Sequence, residues 1–182
     1  MSGEWAVAGY RHVRELGRGR AGRVVLAVRE STGTPVAIRY LPPRPAAAPG
    51  FGSEARRIAA IDAPGLVRLE EFAESPQGAA LVSELVNGIS LERLIRAEGR
   101  LAAEAALTVL KATLLALGAA HRAGVVHGAV GPGDVLVAGD GSSKLAGLGV
   151  GAWPGAPGAA PDGYRAPELW RGERPDTATD LF

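Results

Sequence analysis

The 182-residue chain has no cysteine, one methionine and few aromatic residues: three Phe, three Trp and three Tyr. Without cysteine there can be no disulfide staple, no thiolate nucleophile and no Cys-ligated zinc. Strong charge of one sign is also absent, since Lys and Arg number 20 against 19 Asp and Glu, a net +1. Such a surface has no field to gather nucleic acid or an anionic membrane, so no nucleic-acid partner is expected. The N-terminus, Met1 to Val7, lacks a basic start followed by an apolar run, and no signal peptide is read there. The longest apolar run, Ala105 to Ala120, is interrupted by Lys111 and falls short of the roughly 20 residues of a bilayer span. It is read as a buried helix, with no membrane segment in this chain and a cytoplasmic location. What is abundant is glycine (26) and proline (13), with arginine far outnumbering lysine.

Tyr10 to Leu16 and Arg23 to Arg29 read as strands, the second alternating Val24, Leu26 and Val28 with Val25 and Ala27. Turn chemistry in Glu30 to Thr34 leads to a third strand, Pro35 to Leu41. A proline- and alanine-rich linker, Pro42 to Gly50, precedes a short helix with an Ala55, Ile58 and Ile61 stripe, Ser53 as cap, and Pro64-Gly65 as terminator. Leu66 to Glu74 and Ala79 to Glu84 make a further strand pair, followed by a connector, Leu85 to Gly88. Helices then take over at Ser90 to Ala97 and Leu101 to Arg122. Two short strands, Asp134 to Ala138 and Lys144 to Gly147, flank Gly139-Asp140-Gly141, and a Gly/Ala/Pro loop runs from Gly147 to Pro167. Strands early and helices late give an α+β plan in two lobes.

Gly17-Arg18-Gly19-Arg20-Ala21-Gly22 fits G-x-G-x-x-G. A dinucleotide fold needs a helix after that loop, and here strands lie on both sides. A glycine loop between antiparallel strands, then Val24, Val36-Ala37-Ile38-Arg39 and a helix bearing Glu54, resembles the small lobe of the protein kinase family. The segment His127 to Leu136 is similar to a kinase catalytic loop. Lys144 to Gly149 stands where that family has its metal-binding D-F-G, Ala166-Pro167-Glu168 is an intact A-P-E, and Asp180-Leu181-Phe182 looks like the opening of the central large-lobe helix. The resemblance runs from Tyr10 to the end and is nearest to bacterial, actinobacterial-type Ser/Thr kinases. It implies a protein-kinase-like fold: a tail (1–9), a five-stranded antiparallel N-lobe with one helix (10–85), and an incomplete, mainly helical C-lobe (86–182).

The chemistry departs from the family's pattern. Phosphoryl transfer needs a cation on the phosphates, metal sites and an acceptor for the hydroxyl proton. Arg39 replaces the lysine and could still pair with Glu54; Gly128 and Ala129 replace the Arg and Asp of H-R-D; Gly131 replaces a lysine beside the transferred phosphate; Gly147 replaces the metal-binding Asp. Asp134 stands at the second metal-ligand position and is a weak metal candidate by itself. Between Gly147 and Glu168 there is no Ser or Thr to phosphorylate. The resemblance therefore implies a pseudokinase with no catalytic residues, a regulatory or protein-binding role, and an unidentified protein partner. Gly17, Gly19, Gly22, Val24, Arg39 and Glu54 are the expected nucleotide-binding positions. No cofactor is required; ATP taken without magnesium is one reading of the glycine loop and its arginines, and a solvated strand edge that binds no nucleotide is the other. The competing readings are a Ser/Thr kinase of low activity and a truncated remnant. Ser83 leaves room behind the adenine position, and His12, His121 and His127 are too scattered to be a metal set.

Overall fold

The computed structural model describes residues 5–19, 22–43, 51–153 and 162–182. Arg20 and Ala21 at the tip of the glycine loop, most of the linker after Pro42, and the middle of the 147–167 loop lie outside the described residues.

Strands β1 (Tyr10–Gly19), β2 (Gly22–Arg29), β3 (Pro35–Leu41), β4 (Leu69–Ser75) and β5 (Gly78–Glu84) form one antiparallel sheet in the order β1-β2-β3-β5-β4. The alternation of β2 does what its period requires. Val25 and Ala27 bury against Val36, Ile38, Ala80 and Val82 on the outer face, closed over by Val7 and Tyr10, while Val24 and Leu26 face a cleft beneath. Gly22 ends the glycine loop where no other residue fits: a Cβ there would lie 1.8 Å from the Tyr40 carbonyl oxygen, at φ +98.

Helix α1 (Gly52–Ala59) packs Ala55 and Ile58 into the second core. It differs from expectation at both ends. Ser53 lies inside the helix and Phe51 is the N-cap, with no side-chain cap bond, because Phe51 is anchored by Phe72 and Trp153, ring centroids 5.4 and 5.5 Å away. Ile61 falls beyond the last turn yet still packs on the core. Strand β4 starts three residues later than read, since Leu66 instead bridges to Leu145 of the second sheet.

That second sheet, β6 (Gly88–Ser90), β7 (Val135–Ala138) and β8 (Ser143–Leu145), is antiparallel in the order β6-β7-β8. Helix α2 (Leu91–Glu98) follows β6, with Ser90 as its cap, the hydroxyl accepting from Arg93 N at 3.3 Å. Helix α3 (Ala103–Arg122) buries Val109, Ala116, Leu117 and Ala120. It is 20 residues long, and by length and apolarity alone it could cross a membrane, so the apolar stretch is longer than the run read from Ala105 to Ala120. Most of it is not buried: Leu107 (64 % exposed), Leu110, Leu114 and Leu115 (65 %) form an outward apolar face. Leu117, by contrast, is in the core at 2 % exposure. A one-turn helix α4 (Pro167–Trp170) and a final 3₁₀ turn, Thr179–Leu181, complete the chain.

Candidate functional site

Between the two sheets lies a cleft of about 920 Å³, within the range of roughly 300–1,000 Å³ in which small-molecule sites fall. Its roof is the inner face of β1, β2 and β3, carrying Gly17, Val24, Leu26, Ala37 and Arg39; Ser83 and the segment after β5 form its back. Its floor is His127, Ala129, Asp134, Gly147 and Leu148. Of the expected nucleotide-binding positions, Gly17, Gly22, Val24 and Arg39 line this cleft. Gly19 pairs in register with Gly22 at the loop neck.

Glu54 does not join them. Its carboxylate pairs with Arg57, one turn along α1, and the Arg39 guanidinium instead faces Asp134, Nη2 to Oδ1 3.9 Å. The Arg39–Glu54 pair expected from sequence is therefore replaced by two others. An (i, i+3) partner on the same helix lies within reach of Glu54, and Asp134 lies within reach of Arg39.

Among the described residues, Asp134 is the carboxylate of the floor, with Glu84 and Glu92 on the walls of the cleft. Burial pushes the Asp134 carboxyl above the ordinary carboxylate range, against the opposing pull of His127, Arg39 and a Gly131 backbone hydrogen bond, while Glu92 pushes the same way as burial. The side chain keeps 20 % of its exposure only because the cleft above it is open. At the D-F-G position, Gly147 has φ +83, and a Cβ built there would sit 2.9 Å from Asp134 Oδ1 and 3.5 Å from His127 Nε2. Ala129, at the position of the catalytic base, is 5 % exposed and has nothing to accept a proton. Gly131 is buried and accepts from Asp134 N through its carbonyl, 3.0 Å. The residues present do not fit a divalent cation: Asp134 is already ion-paired, and among the described residues no three His, Asp or Glu converge.

The three histidines are each placed in separate hydrogen bonds. His12 meets the Tyr40 hydroxyl at 2.7 Å, His121 the Asp180 carboxylate at 2.7 Å, and His127 Nε2 donates to the Ala146 carbonyl at 2.9 Å. Asp180 is 6 % exposed and also accepts from the backbone N–H groups of His127 (2.9 Å) and Gly128 (2.7 Å), so it holds the start of the floor loop. Glu168 of A-P-E accepts from the Thr179 hydroxyl at 2.5 Å. At the edge of the cleft, Glu84 binds Lys144 across the two sheets at 2.6 Å. Sequence reasoning missed Arg14, Arg93 and Arg96 as lining residues of the cleft; one arginine among many carries no signal until the fold says which way it faces.

This order of elements and this cleft agree with the comparisons to known proteins. The protein kinase domain family matches residues 10–182. The chain belongs to the protein kinase family. It is 33% identical over 189 residues to the serine/threonine-protein kinase PknA of Mycobacterium tuberculosis, covering 95% of this chain and 44% of that protein. The serine/threonine-protein kinase PknL of M. tuberculosis is 32% identical over 139 residues (72% of this chain, 35% of that one). Sperm motility kinase 2A of Mus musculus is 32% identical over 150 residues (81% and 30%). The chain thus spans less than half the length of these relatives. Among solved structures, that of Rad53 1-466 in complex with AMP-PNP superposes with a TM-score of 0.76 at 23% identity, covering 90% of this chain and 43% of that one; this likeness shows the fold. The kinase-like fold with its five-stranded antiparallel lobe and partial helical lobe is as the sequence implied.

Proposed function

We propose that this kinase-family domain is a pseudokinase: it does not transfer phosphate, and it acts in regulation by binding a ligand in the cleft and presenting the resulting shape to a protein partner in the cytoplasm. The observation that carries this reading is the floor of the cleft, where Ala129 stands at the base position and Gly147 at the metal-ligand position, and Asp134 faces Arg39 rather than a second carboxylate ligand. Losing a general base lowers a rate roughly 10²- to 10⁴-fold, and losing metal stabilisation removes several kcal/mol, about another 10³-fold. From a kinase turnover of roughly 10 s⁻¹, what is left is on the order of 10⁻⁵ s⁻¹. A nucleotide remains the natural occupant, because Gly17 and Val24 still form the roof and Arg39 still supplies a cation.

The test is incubation with γ-labelled ATP and magnesium or manganese, alone and with a basic protein substrate. The expected result is no label above that of the Arg39→Ala variant over hours. Divalent-dependent labelling on the scale of seconds, lost on changing Arg39 or Asp134, would establish the Ser/Thr kinase reading instead.

A further inference from the structure

The Arg39–Asp134 pair does more than mark a missing metal site. Arg39 reaches down from β3 with 23 % of its side chain exposed, and Asp134 lies under it with 20 %. At 3.9 Å the two groups attract without the close, aligned contact of a hydrogen bond. Such a pair leaves the guanidinium's donor fork free for a better acceptor, and a phosphate offers two oxygens in the fork's own geometry. The rest of the cleft is arranged to favour that exchange. Arg14 on β1 and Arg93 on α2 line it with no carboxylate partner among the described residues, while Arg18 is held by Glu15 and Arg96 by Glu92. Gly147 carries no side chain, and Asp134 Oδ1 comes within 2.9 Å of where its Cβ would sit, so no second anion shares the floor beside Asp134.

We propose that the cleft takes a nucleoside polyphosphate free of divalent metal, with Arg39 receiving the phosphate and Asp134 acting as a built-in competitor that the phosphate must displace from Arg39. This rests on the nucleotide-binding part of the reading above. Its consequence runs opposite to the behaviour of a metal-binding carboxylate. Neutralising Asp134 tightens binding, because the phosphate no longer has to break the pair or face an unpaired anion. Magnesium brings no gain, because it covers the phosphate oxygens that Arg39 needs and finds no carboxylate set to receive it.

The experiment is isothermal titration of the whole chain with ATP in EDTA and again with excess magnesium, with inorganic triphosphate and adenosine as separate probes of the two halves of the ligand. Asp134→Asn is expected to bind ATP in EDTA tighter by on the order of tenfold. Arg39→Gln is expected to lose at least that factor, and in the double variant the gain from Asp134→Asn should vanish. Inorganic triphosphate should show the same pattern, and adenosine should be indifferent to both changes. The proposal is overturned if Asp134→Asn binds equally or more weakly, if Arg39→Gln is without effect, or if the parent binds ATP only with magnesium. Should Asp134→Asn fail to fold, the parent's magnesium arm and Arg39→Gln still decide. Absence of binding in every arm overturns the proposal and leaves the inactive-kinase reading intact, since that one rests on phosphate transfer and is sunk by labelling alone.

Discussion

Restoring the missing acid at the D-F-G position, Gly147→Asp, should destabilise the protein and make its stability magnesium-dependent. Gly147 sits at φ +83, where a residue with a Cβ is strained by roughly 1–2 kcal/mol. The new Cβ would lie 2.9 Å from Asp134 Oδ1, so the second carboxylate is brought to about 4 Å from the first, a repulsion of roughly 4 kcal/mol at an effective dielectric of about 20. Arg39 cannot neutralise both. The total, roughly 5 kcal/mol, corresponds to a fall in melting temperature of about 10–20 °C for a chain of this size. Magnesium now has two carboxylates to bridge, and at 100 times its Kd it returns about 2.7 kcal/mol. Differential scanning fluorimetry in EDTA and in magnesium reads both effects, with Gly147→Ala as the control that carries the backbone strain and no charge. Gly147→Asp melting with the parent in EDTA would refute the reasoning. So would a parent protein whose own melting temperature rises with magnesium, since that floor would then already hold a metal.

Two further outcomes follow from titrating groups. The Asp134 carboxyl is raised by burial, so the stability it contributes is fully present below the ordinary carboxylate range and is lost as pH rises through its elevated pKa. Asp134→Asn should therefore melt above the parent at neutral and alkaline pH, the gap closing in acid. The Glu84 carboxyl behaves oppositely: burial pushes it up, but the Lys144 hydrogen bond, the Arg68 backbone N–H and the charges of both outweigh burial and hold it low. Its stability is present above the ordinary glutamate range and is lost as pH falls through the lowered pKa. Lys144→Met should cost about 1 kcal/mol in a urea titration at neutral pH, a cost that disappears in acid.

How much of this was legible in the sequence depended on whether the signal was local. Strand β3 was read at the bounds it has, Pro35–Leu41, because a turn on one side and a proline pair on the other punctuate a β-branched run. The Ser90 hydroxyl was in place to start α2. Of strand β6, Gly88 reads as the end of a connector and Ser90 as the start of a helix, because three residues carry no period; Gly88–Ser90 becomes a strand only by pairing with Leu136–Ala138, nearly fifty positions on. The cap of α1 was misassigned to Ser53 because an aromatic anchor, Phe51, outcompeted a hydroxyl. In the cleft, the order of motifs placed Arg39, Ala129, Asp134 and Gly147 together on one site, but the choice of Asp134 over Glu54 as the partner of Arg39 depends on where α1 sits. No local pattern encodes that position.

Asp180 holds the start of the cleft-floor loop, next to Ala129, and this role can be tested by itself. Its two carboxylate oxygens accept from His127 N, Gly128 N and His121 Nε2 at 2.7 to 2.9 Å, and its side chain is fully buried. Asp180→Ala strands two backbone donors with no acceptor, each at about 1–3 kcal/mol, for a total of roughly 2–6 kcal/mol. Asp180→Asn keeps one accepting oxygen but turns an NH₂ toward donors, so it should fall between Ala and the parent. Amide hydrogen exchange at His127 and Gly128 reports the loss directly, and it should rise in both variants before the protein melts. The same loop carries Asp134 to its place under Arg39. If the loop's job is to hold that pair, loosening it must also change how ATP binds in EDTA. Faster exchange at His127 and Gly128 with an unchanged ATP affinity would separate the anchor from the cleft, and would mean that Asp180 serves the fold alone.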